Sequence, residues 1–175
     1  MLFRSEAYFF TSKRLNNVNG FTNPANGNEI FINANSTDPL VSVAGHELIH
    51  QLKNDHPDLY EFLLNTLRVS DDNFAKYVKD LNRGRDDFQK VTDPERQYEE
   101  FIGDFASDQF PKVDFWSRML DQNAPMTKRI IGILETILNK IRKIFTRAEQ
   151  YVSNAEESMD ALAYAMSEAM RRHEA

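Results

Sequence analysis

From Asp38 to the end of the chain, apolar residues recur at helical spacing in one segment after another. That pattern commits most of the molecule to helices that must bury their apolar faces on one another. The first helix opens at Pro39 behind Asp38 as cap and runs to about Lys53. A second begins at Pro57 and lines up Leu59, Phe62, Leu63 and Leu67. A third and weaker one covers about Asp72–Leu81, and residues 82–92 read as a polar loop. A fourth starts at Pro94, capped by Thr92 or Asp93, and stops before Pro111, with Tyr98, Phe101, Ile102 and Phe105 as its apolar face. A fifth holds Val113, Phe115, Trp116, Met119 and Leu120.

Residues 1–36 break the pattern. Asn19-Gly20 and Asn26-Gly27 are turn signals, and Glu29-Ile30-Phe31-Ile32-Asn33 reads as a strand. The expected fold is therefore α+β and mostly α-helical. A small N-terminal antiparallel hairpin or sheet packs on the first long helix, and a helical bundle follows. The tail divides from this body. Residues 128–147 form a basic amphipathic segment with Ile130, Ile131, Leu134, Ile137, Leu138 and Ile141 in one stripe, and residues 155–172 carry Met159, Leu162, Met166, Ala169 and Met170. We expect residues 1–123 to form the core and 124–175 an antiparallel helical pair packed on it, acid against base. A membrane-surface role for 128–147 is the competing reading.

Composition matters mainly for what it excludes. The 175 residues contain no cysteine and four histidines, with a net charge of −6. A disulfide framework, a cysteine nucleophile, an iron–sulfur cluster and any thiolate zinc site are ruled out. The acidic balance argues against nucleic acid as a partner. Met1-Leu2-Phe3-Arg4-Ser5-Glu6 is no signal peptide, and no window reaches the roughly eighteen apolar residues of a membrane span. A cytoplasmic setting is expected. The chain opens abruptly in structured-looking sequence, as a domain excised from a larger protein would.

Two of the histidines stand four apart in His46-Glu47-Leu48-Ile49-His50. On a helix, residues four apart project from one face, so both imidazoles can reach one ion. Glu47 lies about 100° round from His46. It flanks the ion instead of binding it, and can hold a water and take its proton as the water attacks a carbonyl. Leu48, Leu52, Val41 and Ala44 half-bury the helix, and Gly45 beside His46 suggests close packing. A catalytic Zn²⁺ needs a third protein ligand and leaves its fourth position to water. His56 follows His50 by six residues, but no glycine stands between them to turn the chain back, so it reads as a cap or surface residue. The fourth helix offers Glu99, Glu100 and Asp104, and a helical wheel hardly chooses between the two glutamates.

The pair His46-Glu47-Leu48-Ile49-His50 and Glu99-Glu100-Phe101-Ile102-Gly103-Asp104 resembles a glutamate zincin, the thermolysin-like branch of zinc metallopeptidases. The second motif of that branch, Glu-x-x-x-Asp, matches here at Glu100 and Asp104. The resemblance implies His46, His50 and Glu100 as zinc ligands, Glu47 as general base and Asp104 as an outer carboxylate behind a ligand. With Asn28–Asn33, His56–Tyr60 and Asp114-Phe115-Trp116 added, residues 18–145 are similar to metallopeptidase domains in large polyvalent proteins of phages and conjugative elements. That implies a bacterial or phage-infected cytoplasm, a protein or peptide substrate, and other domains of a longer parent chain as partners. The alternative is a catalytically silent zincin-fold module, binding or structural, within such a protein.

Further features stay open. The strand Glu29–Asn33 could border the cleft and hold an extended peptide along a free edge, or could simply cover the core. Tyr60, Tyr98, His56 and Arg96 are candidates to stabilise an oxyanion. His173 lies in a polar terminus and is expected to be uninvolved.

Overall fold

The computed structural model describes the backbone of residues 6–10, 20–22, 29–33, 39–67, 71–145 and 152–175. Three short strands come first: β1 (Glu6–Phe10), β2 (Gly20–Thr22) and β3 (Glu29–Asn33). Seven helices follow: α1 (Pro39–Asp55), α2 (Pro57–Leu67), α3 (Asp71–Leu81), α4 (Pro94–Gln109), α5 (Val113–Gln122), α6 (Ala124–Phe145) and α7 (Val152–Glu174).

The expected α+β layout with an antiparallel N-terminal sheet is overturned. From Pro39 on, the described chain is built of helices and their short connections, with no further strand. Its three strands form a mixed unit in the order β1-β3-β2, with β1 parallel to β3 and only β2 antiparallel to it. Turn residues mark where a chain reverses, so they point only to the β2–β3 pairing. Parallel pairing needs a crossover of about a dozen residues or more, and no local signal in the sequence encodes it. Over Ile30–Ile32, β3 is paired on both sides. It is therefore not the free edge along which a peptide could add as a strand, and that expectation is corrected too. The turn expected at Asn26-Gly27 and the cap at Asp38 lie outside the described residues. β2 and β3 lie against α1, and β1 lies against α6.

The helix boundaries follow local chemistry. α1 runs two residues beyond Lys53, and His56 alone separates it from α2. The His56 N–H donates to the Leu52 carbonyl at 2.9 Å, and its own carbonyl accepts from the Tyr60 N–H at 3.0 Å. Pro57 has no N–H to extend α1 and suits the first position of α2. α4 begins as its sequence suggests: Asp93 is extended, its carboxylate accepts from the Glu95 N–H at 3.4 Å, and Pro94 follows. Between α3 and α4 the Asn82 side chain holds Val91 from both sides. Its amide donates to the Val91 carbonyl at 2.9 Å, and its carbonyl accepts the Val91 N–H at 2.8 Å. Gly84 turns this loop at φ 74°, a left-handed conformation that glycine adopts at least cost. Phe88, at the loop's tip, is 78% exposed.

The core is one continuous apolar cluster. Ala44, Leu48, Ile49 and Leu52 of α1 meet Leu59 and Leu63 of α2, Phe115, Trp116 and Met119 of α5, and the Ile130–Ile141 stripe of α6. Burying each Leu or Ile contributes about 1.5–3 kcal/mol relative to leaving it exposed. Trp116 satisfies its indole by donating to the Phe110 carbonyl at 2.7 Å, which removes the usual penalty for a buried N–H. α6 and α7 run antiparallel, because Lys128 pairs with Glu174 at 3.3 Å and Arg142 with Asp160 at 3.0 Å. Their acid-against-base pairing is as expected, but the main packing partner is not. α7 rests chiefly on α5, with α1 next. Among the described residues, no helix is long and apolar enough to cross a membrane.

Candidate metal centre

α1 and α4 come together at glycines. A Cβ on Gly45 would collide with the Ser107 hydroxyl. One on Gly103 would lie 2.7 Å from His46 Cδ2 and 2.9 Å from Cγ and Nε2. Ser107 in turn donates to the Gly103 carbonyl at 2.6 Å, which turns its hydroxyl into its own helix. This close approach lays a polar edge of α1 along α4. His46 meets Glu100 and Asp104, His50 meets Glu99, and Lys53 meets Glu99 and Glu95. Ascending numbers on one helix face descending numbers on the other, so the two helices run antiparallel along this seam.

The distances sort the carboxylates. His46 Nε2 stands 3.0 Å from Glu100 Oε2 and 3.5 Å from Asp104 Oδ1. The other Asp104 oxygen, Oδ2, accepts from the Tyr77 hydroxyl at 2.6 Å. His50 Nδ1 stands 3.4 Å from Glu99 Oε2, while Glu99 Oε1 accepts from the Lys53 amine. Glu47 points elsewhere. It is only 5% exposed. Its Oε1 accepts from Gln51 Nε2 at 2.9 Å, one helical turn on. Its Oε2 is buried and has no hydrogen-bond partner among the described residues. An orphaned carboxylate oxygen is costly and rare in a folded protein.

The charges follow from these contacts. Burial pushes Glu47 above the usual carboxylate range, against the Gln51 hydrogen bond and the nearby His50 and Lys140. Burial pushes Glu100 the same way, but the His46 hydrogen bond and the charges of His46, His50 and Arg85 outweigh it and leave Glu100 lowered. Asp104 is raised, by burial first, with Glu100 and Asp108 adding to it and His46 and Tyr77 opposing. Burial, then Asp104, holds the Tyr77 hydroxyl well above its ordinary value, so it remains a donor. Two carboxylates one turn apart, Glu100 and Asp104, are thus pushed in opposite directions by their surroundings.

The expected residues are accounted for as follows. His46, Glu100 and Asp104 are brought together from sequence positions more than fifty apart. His50 lies on the same seam but faces Glu99. Glu47 sits beside His50 on the buried side. Among the described residues, no three His, Asp or Glu side chains form a group at metal-holding geometry. The donor set nevertheless fits a zinc ion in kind: two imidazoles and a carboxylate, with no thiolate available in the chain. Two ligands of one tetrahedral zinc stand about 3.3 Å apart, given metal–ligand distances near 2.0 Å. The 3.0 Å between His46 Nε2 and Glu100 Oε2 is close to that separation. The buried Glu47 oxygen fits the same reading.

The sequence reading missed Tyr77, Lys53 and Gln51. Gln51 was findable, since it follows Glu47 by one turn. Tyr77 and Lys53 were not, because their contacts depend on how separate helices meet. Among the oxyanion candidates, Tyr98 packs edge-on to Phe74 with ring centroids 5.4 Å apart. Burial raises the half-buried Tyr60 hydroxyl. Arg96 is exposed on α4, and His56 sits at the α1–α2 junction. His173 approaches Asp121 at 3.8 Å, with no part in the seam. Comparison with family models, curated proteins and solved structures returns no match for this chain.

Proposed function

We propose that this chain is a zinc-dependent peptidase of the glutamate-zincin type. The observation that carries the reading is the meeting of His46 on α1 with Glu100 and Asp104 on α4, the two motifs singled out in the sequence. His46, His50 and Glu100 would hold the ion. When bound, zinc supplies Lewis acidity, polarising a carbonyl and bringing the pKa of a water towards about 7.

The chain's own residues do the rest. Glu47 keeps a carboxylate oxygen, Oε2, buried and without a hydrogen-bond partner among the described residues; as general base it would take a proton from the attacking water and hand it to the leaving amine. Its raised pKa suits a group that must hold that proton between the two transfers. Gln51 fixes the carboxylate through Oε1 and so decides which oxygen is free. Asp104, held by Tyr77, lies 3.5 Å from His46 Nε2, the nitrogen that also faces Glu100, so it flanks the metal-facing nitrogen instead of backing the ring through Nδ1. A protein or peptide substrate and the cytoplasm of a bacterial or phage-infected cell come with this reading from the resemblance.

The test pairs metal content with turnover of an unfolded protein substrate. Protein purified without added metal should carry about one zinc per chain, as a single site of three protein ligands with its fourth position open to water requires. His46→Ala and Glu100→Ala should lose it. Glu47→Gln should keep the zinc and lose hydrolysis. Full activity in Glu47→Gln overturns the mechanism. Full zinc occupancy without turnover in the native protein would instead favour a silent binding module.

A further inference from the structure

α4 presents two adjacent glutamates to α1, and the contacts divide them. Glu100 goes to His46 and Glu99 to His50. The Glu99 carboxylate is itself divided, with Oε2 facing His50 Nδ1 and Oε1 accepting from Lys53. Lys53 lies three residues beyond His50 on α1, so the imidazole and the amine straddle Glu99 from one helix face. Lys53 also donates to Glu95 Oε1 at 2.6 Å, one turn before Glu99 on α4. Glu95 is 72% exposed and Glu99 only 14%, so Glu99 is the partner that water screens less.

We propose that Lys53 and Glu99 are positioning residues for His50, with Lys53 holding the Glu99 carboxylate against Nδ1 so that Nε2 is the nitrogen presented to a metal. The proposal rests on the zinc reading above for its consequence, though not for its geometry. The physical need is specific. Glu99, Glu100 and Asp104 crowd one stretch of α4, and like charges at such spacing repel. A cation on the Glu99 side lets that carboxylate stay beside His50 without swinging out to water. A carboxylate on one imidazole nitrogen fixes the ring's orientation and tautomer, and loss of such a partner typically weakens metal binding about 10–100-fold. An ordinary interhelical ion pair would do none of this. It would contribute only to stability, and weakly, because Lys53 is 29% exposed.

The experiment uses the full chain with Glu99→Ala, Lys53→Met and Lys53→Arg, and two readouts. The first is the His50 proton position in metal-free protein, from nitrogen-15 long-range correlations of the imidazole. The second is zinc affinity by chelator competition. In the native protein His50 should carry its proton on Nδ1. Glu99→Ala should abolish that preference and weaken zinc about 10–100-fold. Lys53→Met should shift both readouts in the same direction but less far, and Lys53→Arg should restore both. An unchanged His50 tautomer in Glu99→Ala overturns the proposal. Equal behaviour of Lys53→Met and the native protein overturns the part given to Lys53. If the native protein binds no zinc but the tautomer shifts as expected, the positioning stands and the zinc reading falls.

Discussion

One side of α1 carries Ala44, Leu48, Ile49 and Leu52, all fully buried, while the side facing α4 carries Gly45, His46, His50 and Lys53, whose imidazoles keep 22% and 33% of their exposure. The same helix therefore meets two kinds of neighbour. Towards α2, α6 and α7 the contact is apolar and close-packed, and the partners are interchangeable in kind. Towards α4 the contacts are polar, with His46, His50 and Lys53 each facing a carboxylate, and glycines remove the side chains that would keep the helices apart. The first side holds the fold. Glu47, buried with one oxygen unpaired among the described residues, opposes stability.

Substitutions can break or sharpen this contrast. The largest effect is expected on the apolar side. Trp116→Ala should cost about 3–5 kcal/mol of stability, since it empties a large buried volume and leaves the Phe110 carbonyl without its donor. Urea denaturation measures this. A loss below about 1 kcal/mol would mean that α5 is not the support described.

Next comes Glu47→Gln, which should reduce hydrolysis by about 10²–10⁴-fold while zinc content holds. In metal-free protein the same change should raise stability at neutral pH. The folded-state pKa of Glu47 is raised, so the folded state binds the proton more tightly than the unfolded one. That contribution is fully present below the ordinary value of 4.5 and is lost as pH rises through the folded value. The gain from Glu47→Gln should therefore shrink as pH falls towards 4.5, and a gain that grows on acidification would reverse the assignment.

Gly103→Ala tests the seam from the steric side. The new Cβ meets three atoms of the His46 ring at 2.7–2.9 Å, so the ring must move. Zinc affinity should fall about 10–100-fold. Stability should change by no more than about 1–3 kcal/mol, because alanine's better helix propensity offsets part of the overpacking. Unchanged affinity would show that the closeness of α1 and α4 is incidental to the site.

The smallest effect belongs to Glu168→Gln. Arg171, then Arg172, hold the Glu168 carboxyl down to about 2 by hydrogen bonds on the surface of α7. Its stabilisation is present above the ordinary glutamate value and is lost as pH falls towards 2. The substitution should shift the thermal midpoint only slightly at pH 7, and zinc affinity not at all. A measurable zinc effect would mean that the two sides of α1 are coupled through α7.

These contrasts were unevenly legible in the sequence. Pro39, Pro57, Pro94 and Pro111 announce helix limits because proline's missing N–H and fixed φ act within one turn. The apolar stripe of α6 was legible for the same reason, through its period. The spacing of His46 and His50 shows that they share a face, since that too is local geometry. The choice between Glu99 and Glu100 was not legible. It depends on how α4 lies against α1, where Gly45, Gly103 and Ser107 come into close contact. The parallel partner of β3 and the seating of α7 on α5 were hidden likewise, because neither leaves a mark on the residues nearby in sequence.

The two-point grip of Asn82 on Val91 bears on how this molecule could tolerate change. It closes the loop between α3 and α4 at its neck, so the spacing of those helices does not depend on the residues that lie between the two ends. Tyr77 and Asp104 must keep their register across that spacing, whereas Arg83 to Lys90 need not. Segments of different length or composition could be exchanged there around Phe88, provided that Arg85, whose charge helps to hold Glu100 low, is kept. The loop is in that sense a socket: a place where the surface of the protein can be rewritten without touching its interior.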